Sequence, residues 1–205
     1  MKNLDEIASK IQAGLDEKDT VREIAIKSSR AIIRLSGSAV HALHRGEEAD
    51  ATLAEAYDEV QRLKSLLQEH PDIGNSGLVE DAMQEMAEAA IIVAISKGED
   101  LPEPDDINVT DTAYLLGLGD CLGELRRFAL TALRNGKVDS ATVYLEMMEE
   151  MFTVLMRFDY PDAIVAVRRK QDVARSLLEK TRGEVAVAVS SKALADKIEA
   201  LDRKL

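Results

Sequence analysis

The sequence predicts an all-α protein folded as one domain over residues 1–205, and three observations carry that prediction. Apolar residues recur at steps of three and four along most of the chain, the period of a helix with one buried face. The composition agrees: 46% of the residues are hydrophobic and 31% charged, Ala, Leu, Glu, Lys and Arg are abundant, and there are only 4 prolines. No segment of strand period exceeds residues 184–189, and there is neither an internal repeat nor a low-complexity tract. Aromatics are only 3% and Trp is absent, so the core must be built from aliphatic and Met side chains.

Taken in order, residues 3–17 predict a short amphipathic helix. Asp19 or Thr20 suits the N-cap of a long second helix ending near Gly46, where His44 and Arg45 complement the negative C-terminal end. A third helix runs from Glu47 to about Glu69, closed by His70-Pro71 and the turn residues Gly74-Asn75-Ser76-Gly77. A fourth spans about Leu78 to Lys97. The acidic stretch carrying Pro102 and Pro104 is the one clear loop. Thr110 or Asp111 caps a fifth helix that stops at Asn135-Gly136. Asp139 or Ser140 opens a sixth that reaches about Phe158. Pro161 fits the first turn of a seventh continuing towards Gly183. Residues 191–203 predict a short C-terminal helix.

Charge and cysteine usage narrow the function. A formal net charge of −12 argues against a protein that coats nucleic acid or anionic lipid with its whole surface, though it leaves room for a local basic groove. The single cysteine, Cys121, excludes an internal disulfide and a cysteine-based zinc site. It suits a reducing compartment. No signal-peptide core and no run near the ~18 apolar residues of a membrane span are present, so the expected setting is cytoplasmic.

The most informative stretch lies in the fifth helix, from Tyr114 to Arg127. Leu115, Leu118, Leu122, Leu125 and Ala129 keep the helical period, yet Gly117, Gly119 and Gly123 interrupt it. Each glycine costs a helix interior about 1 kcal/mol relative to Ala. Three in seven residues call for a reason, such as close approach of another backbone or a ligand. Asp120 and Glu124 stand one turn apart, so their carboxylates share a side. Like charges at that spacing repel, and the pair therefore suggests a cation site.

The fourth helix adds Glu85 and Glu88, three apart on one face. A loop between the two helices would lay them antiparallel, giving four carboxylates on two helices. Such hard oxygen ligands, with no His or Cys beside them, suit Mg²⁺ or Mn²⁺. A cation of that kind serves phosphoryl hydrolysis. The alternative for Glu85 and Glu88 is an ordinary solvated face in a chain with 38 acidic residues.

The second helix carries the opposite charge. Lys27, Arg30, Arg34, His41 and Arg45, with Ser38 among them, form one stripe. Ile26, Ser29, Ile32, Ile33, Ser36, Val40 and Leu43 form an apolar stripe on roughly the other side. The basic stripe reads either as a phosphate-backbone surface, with arginines making forked hydrogen bonds, or as a face paired with acidic helices of the same or a neighbouring subunit. No Glu-x-x-His pattern supports His41 or His44 as metal ligands.

Several motifs together resemble the translin family. They are Ser28-Ser-Arg-Ala-Ile-Ile-Arg-Leu with Ala42-Leu-His-Arg-Gly-Glu47, then Gln84-Glu-x-x-Glu-Ala89, then Tyr114-Leu-Leu-Gly-x-x-Asp-x-x-Gly-Glu-Leu-Arg126, with Arg134-Asn-Gly136 after them. The similarity runs from about Asp19 to Arg182. It implies a bundle of about seven helices and assembly into a closed octameric shell that binds RNA and single-stranded DNA. Within the family, translin proper binds nucleic acid, whereas translin-associated factor X carries a Mg²⁺-dependent endoribonuclease site. The acids of that site correspond here to Glu85, Glu88, Asp120 and Glu124, all present. The family's nucleic-acid contacts correspond to Arg30, Arg34, His41, His44 and Arg45. The animal factor X insertion between the two acidic motifs is reduced here to a short loop, which is more like a prokaryotic or archaeal homologue assembling as a homo-oligomer.

The expected activity is therefore Mg²⁺-dependent endonucleolytic cleavage of single-stranded RNA. Three other readings stand beside it: a non-catalytic RNA or single-stranded DNA binding shell, an all-α nucleotide pyrophosphohydrolase, and a di-iron bundle, which normally needs Glu-x-x-His motifs.

Overall fold

The computed structural model describes residues 3–74 and 76–203, and their regular structure is entirely helical. Seven helices follow in order among the described residues: α1 (Leu4–His44), α2 (Asp50–Leu67), α3 (Pro71–Gly74), α4 (Gly77–Lys97), α5 (Asp111–Arg134), α6 (Val138–Leu155) and α7 (Val167–Asp202). They divide into two compact units, one ending at Tyr114 and one beginning at Leu115, so that α5 starts in the first and continues in the second.

In the first unit α4 is the central element. Val79, Ala82, Met83, Met86, Ala87, Ala89 and every residue from Ala90 to Ala94 are buried, so α4 is covered nearly all round. A helix apolar on every side belongs inside a bundle. Both α1 and α2 pack on it. The buried positions of α1 include the small residues Ala25, Ser29, Ser36 and Ala39, with a fully buried Ile32 among them. From α2 come Ala56, Val60, Leu63 and Leu67. The Ser29 and Ser36 hydroxyls are buried with no hydrogen-bond partner. What these serines supply is small size, which lets the helices approach closely.

The loop after α4 is built from local polar contacts. Gly98 ends the helix in the left-handed conformation at φ 69°. Asn108 is also left-handed, at φ 56°, and its side-chain amide donates to the Tyr57 hydroxyl at 3.1 Å. Thr110 then caps α5: its hydroxyl oxygen accepts the Ala113 N–H at 3.0 Å and its O–H donates to Glu80 at 2.7 Å.

In the second unit α6 packs on α7. Ala129 and Ala132 of α5, Ala141 of α6 and Val185 of α7 form one core cluster with Leu133, Tyr144 and Leu145 against it. Phe128 and Tyr144 stack at 5.5 Å. The buried Gln171 amide donates to the Leu155 and Phe158 carbonyls at 2.9 and 2.7 Å, satisfying the end of α6.

Two predicted breaks are absent. Residues 3–17 and the long basic helix are one continuous α1 of 41 residues. Thr20 does not cap: its hydroxyl donates to the Asp16 carbonyl one turn back, a bond compatible with uninterrupted helix. Likewise α7 runs without interruption through Gly183, so the predicted C-terminal helix is its continuation and residues 184–189 are helical. Pro161 precedes α7 instead of sitting in its first turn. Asn75, one of the predicted turn residues, lies outside the described residues.

Both continuous helices carry exposed apolar side chains at the chain ends. Leu4, Ile7, Ile11 and Leu15 do so on α1, and Val187, Leu194, Ile198 and Leu201 on α7.

Candidate functional site

The glycines of α5 explain how Asp120 is placed. A Cβ on Gly119 would stand 2.9 Å from the Lys170 Cβ, so the missing side chain is what admits α7 at this point. Lys170 is thereby laid against α5, and its ammonium donates to both carboxylate oxygens of Asp120, at 2.5 and 2.6 Å. The pair is partly sheltered, with side-chain exposures of 25% for Lys170 and 29% for Asp120. Glu124 follows one turn later, also partly buried, 3.7 Å from the exposed Arg127 guanidinium. A Cβ on Gly123 would meet nothing within 4 Å, so the surface beside Glu124 is open.

The two neighbouring arginines are not equivalent. Arg126 makes a forked pair with Glu184 at 2.8 and 2.9 Å and donates to the Thr181 hydroxyl at 2.8 Å, which ties α5 to α7. Arg127 and Arg134 point outward and are exposed.

In the other unit, Glu85 and Glu88 stand one turn apart on α4 and are partly buried, flanked in sequence by the buried Met86, Ala87 and Ala89. Their side chains are thus neither fully solvated nor fully buried. Carboxylates on a central helix are expensive to desolvate unless a cation or hydrogen-bond donors accompany them.

The two acid pairs belong to different units, and each pair shares one helix face. Among the described residues no group of three or more His, Cys, Asp or Glu side chains is gathered closely enough to hold a metal ion. By donor chemistry alone the carboxylates fit a hard divalent cation such as Mg²⁺ or Mn²⁺. Asp120 already accepts hydrogen bonds from one positive charge, the Lys170 ammonium.

The basic stripe of α1 stands as expected. Lys27, Arg30, Arg34, Ser38, His41 and Arg45 are all exposed, while His44 is partly buried. Arg34, Gly37, Ser38, His41 and Arg45, with Ile33, line a shallow groove of about 350 Å³, comparable in size to a small-ligand cleft.

Among the described residues Lys27, Arg30 and Arg34 form no ion pair, so the stripe is not neutralised by acidic helices of its own chain. Arg45 is the exception. It makes a forked pair with Glu47 at 2.8 and 2.6 Å. The Glu47 hydrogen bond raises the Arg45 pKa, and the same bond lowers that of Glu47.

Lys170 and Glu184 were not legible as site residues in the sequence. Only the packing of α7 on α5 brings them to Asp120 and Arg126.

With this geometry in place, comparison with known proteins decides the family. The translin family model matches residues 18–185. The chain belongs to the translin family. An uncharacterized protein of Methanocaldococcus jannaschii is 32% identical over 181 residues, covering 86% of this chain and 80% of that protein. Among solved structures, AfC3PO in complex with duplex RNA is similar at 34% identity and a TM-score of 0.84, covering 91% of this chain and 98% of that one. A crystal structure of AfC3PO matches at 36% identity and a TM-score of 0.83, with the same coverage. A structure of apo-NeC3PO, at 21% identity and a TM-score of 0.78, shares the translin-family fold.

Proposed function

We propose that this translin-family chain is a metal-dependent endoribonuclease that binds single-stranded RNA along α1 and cleaves it with Glu85, Glu88, Asp120 and Glu124. The observation that carries the proposal is the placement of the acids. Each pair stands one turn apart on one face of a helix and is partly sheltered, which holds hard oxygen donors at a fixed spacing suited to a divalent cation. The similarity to a solved AfC3PO–RNA complex supports RNA as the ligand class.

Glu85, Glu88, Asp120 and Glu124 would hold Mg²⁺ or Mn²⁺. When bound, such an ion activates water and offsets charge on a phosphoryl group. The chain's own residues supply the rest. Arg30, Arg34, His41 and Arg45 hold the phosphate backbone, with His44 beside them. Their contacts do not report base identity, so cleavage is expected to be weakly sequence-selective. Lys170 holds the Asp120 carboxylate in one orientation. One carboxylate of the set accepts a proton from the attacking water.

The second reading is an RNA or single-stranded DNA binding protein without cleavage. The Asp120–Lys170 pair favours it, because the ammonium already compensates that carboxylate. In either reading the chain works as a homo-oligomer, with an octamer as the expected closed form, in the cytoplasm. No helix of the described residues is long and apolar enough to cross a membrane.

The deciding experiment is incubation of a labelled single-stranded RNA, and its duplex, with purified protein in Mg²⁺, Mn²⁺ or EDTA, beside Asp120→Asn. Metal-dependent cleavage lost in the variant supports the nuclease. Binding without cleavage in either metal moves the chain to the binding reading.

A further inference from the structure

Resting on the reading that this chain binds RNA, we propose that the exposed C-terminal half of α5 is a second phosphate-binding track. Arg127, Thr131 and Arg134 form it, and it leads the RNA backbone to Asp120 and Glu124.

The register of α5 sets this up. Positions 120, 124, 127, 131 and 134 advance by steps of four, three, four and three, so they share one helix face. Acids occupy the N-terminal part of that face and arginines the C-terminal part. Beside it lies an open groove of about 420 Å³, lined by Gly123, Arg126, Arg127, Leu130, Thr131 and Arg134. Gly123 leaves the junction between acids and arginines open, since a Cβ there would meet nothing within 4 Å.

The arginines of the groove have different duties. Arg126 is committed to Glu184 and Thr181 and its side chain is only 17% exposed, so it braces the floor. Arg127 is exposed, with Glu124 at 3.7 Å as its ion-pair partner. Arg134 is exposed and forms no ion pair among the described residues. Seven residues separate Arg127 from Arg134, about 10 Å along the axis. Their guanidiniums therefore reach different phosphates of one strand. Forked donors held in a groove on a protein of net charge −12 are suited to phosphate oxygens.

The test is binding of a fluorescently labelled single-stranded RNA to the full chain in EDTA, where metal-dependent cleavage is off. Affinity is followed from low to moderate salt by anisotropy for wild type, Arg127→Ala/Arg134→Ala, Arg134→Lys and Arg30→Ala/Arg34→Ala. The α5 double variant should bind about tenfold more weakly and lose about two from the salt slope, one per phosphate contact. Arg134→Lys should keep most of the slope, because it keeps the charge. Unchanged affinity and slope in the α5 variant, with loss in the α1 variant, would overturn the track and leave RNA binding on α1 intact. Wild-type protein that binds no RNA would overturn both. Arg127 and Arg134 are exposed, so a melting temperature matching wild type is expected for each variant.

Discussion

Asp120 shows how one residue's setting follows from its neighbours. Gly119 removes the Cβ that would collide with Lys170, and the lysine then reaches the carboxylate. Replacing Gly119 by Ala brings two opposing effects. Helix propensity favours Ala by about 1 kcal/mol, whereas overpacking costs about 1–3 kcal/mol. The contact is with the Lys170 Cβ, close to the α7 backbone, so overpacking should win and urea denaturation should show lower stability. Asp120→Asn removes a charge at nearly constant volume. It should abolish cleavage while leaving RNA affinity in EDTA within about twofold, because phosphate contacts rest on the basic residues. Ser36 gives the opposite case. Its hydroxyl is buried and unpartnered, and Ser36→Ala should be neutral or stabilising by up to about 1 kcal/mol in the same measurement.

At the scale of the element, α1 combines a small-residue face that packs on α4 with an exposed basic face. The two properties are separable by mutation. Arg30→Ala/Arg34→Ala should lower RNA affinity and take about two from the salt slope without changing the melting temperature. Glu47 restrains the same face by pairing with Arg45. Its pKa is lowered, so the pair is fully formed above the ordinary glutamate range and is lost as pH falls through the lowered value. The restraint thus operates throughout neutral pH. Glu47→Gln should free the Arg45 fork and tighten RNA binding by about two- to fivefold at neutral pH, as read by anisotropy. An unchanged affinity would show that Arg45 does not face the RNA.

At the scale of the molecule, a chain of net charge −12 binds a polyanion only where its cations are gathered. The exposed stripe on α1 is one such place. The apolar side chains at the two chain ends are the other whole-molecule feature. Leu4, Ile7, Ile11 and Leu15 recur at steps of three and four on a stretch of α1 with no buried residue before Val21. Burial of such a stripe between copies suits the proposed homo-oligomer. Ile11→Lys/Leu15→Lys should therefore shift the solution mass, by light scattering, towards smaller species. A variant of unchanged mass would remove this face from the assembly.

The sequence by itself determined the helical class, the α4 and α5 boundaries, the two acid pairs and the basic stripe. All of these depend on spacing within one helix, which the 3.6-residue period makes readable. It also determined the family, because the motifs occur in order over most of the chain. Helix continuity was less legible: Thr20 and Gly183 look like boundaries locally, yet α1 and α7 pass through both. Local propensity is a weak prior that the rest of the helix overrides. Only the tertiary structure decided that Lys170 holds Asp120, that Arg126 is committed to Glu184, and that Glu85 and Glu88 are partly buried. Such contacts join residues about fifty or more positions apart, or depend on what covers a helix, and no pattern within a single segment encodes them.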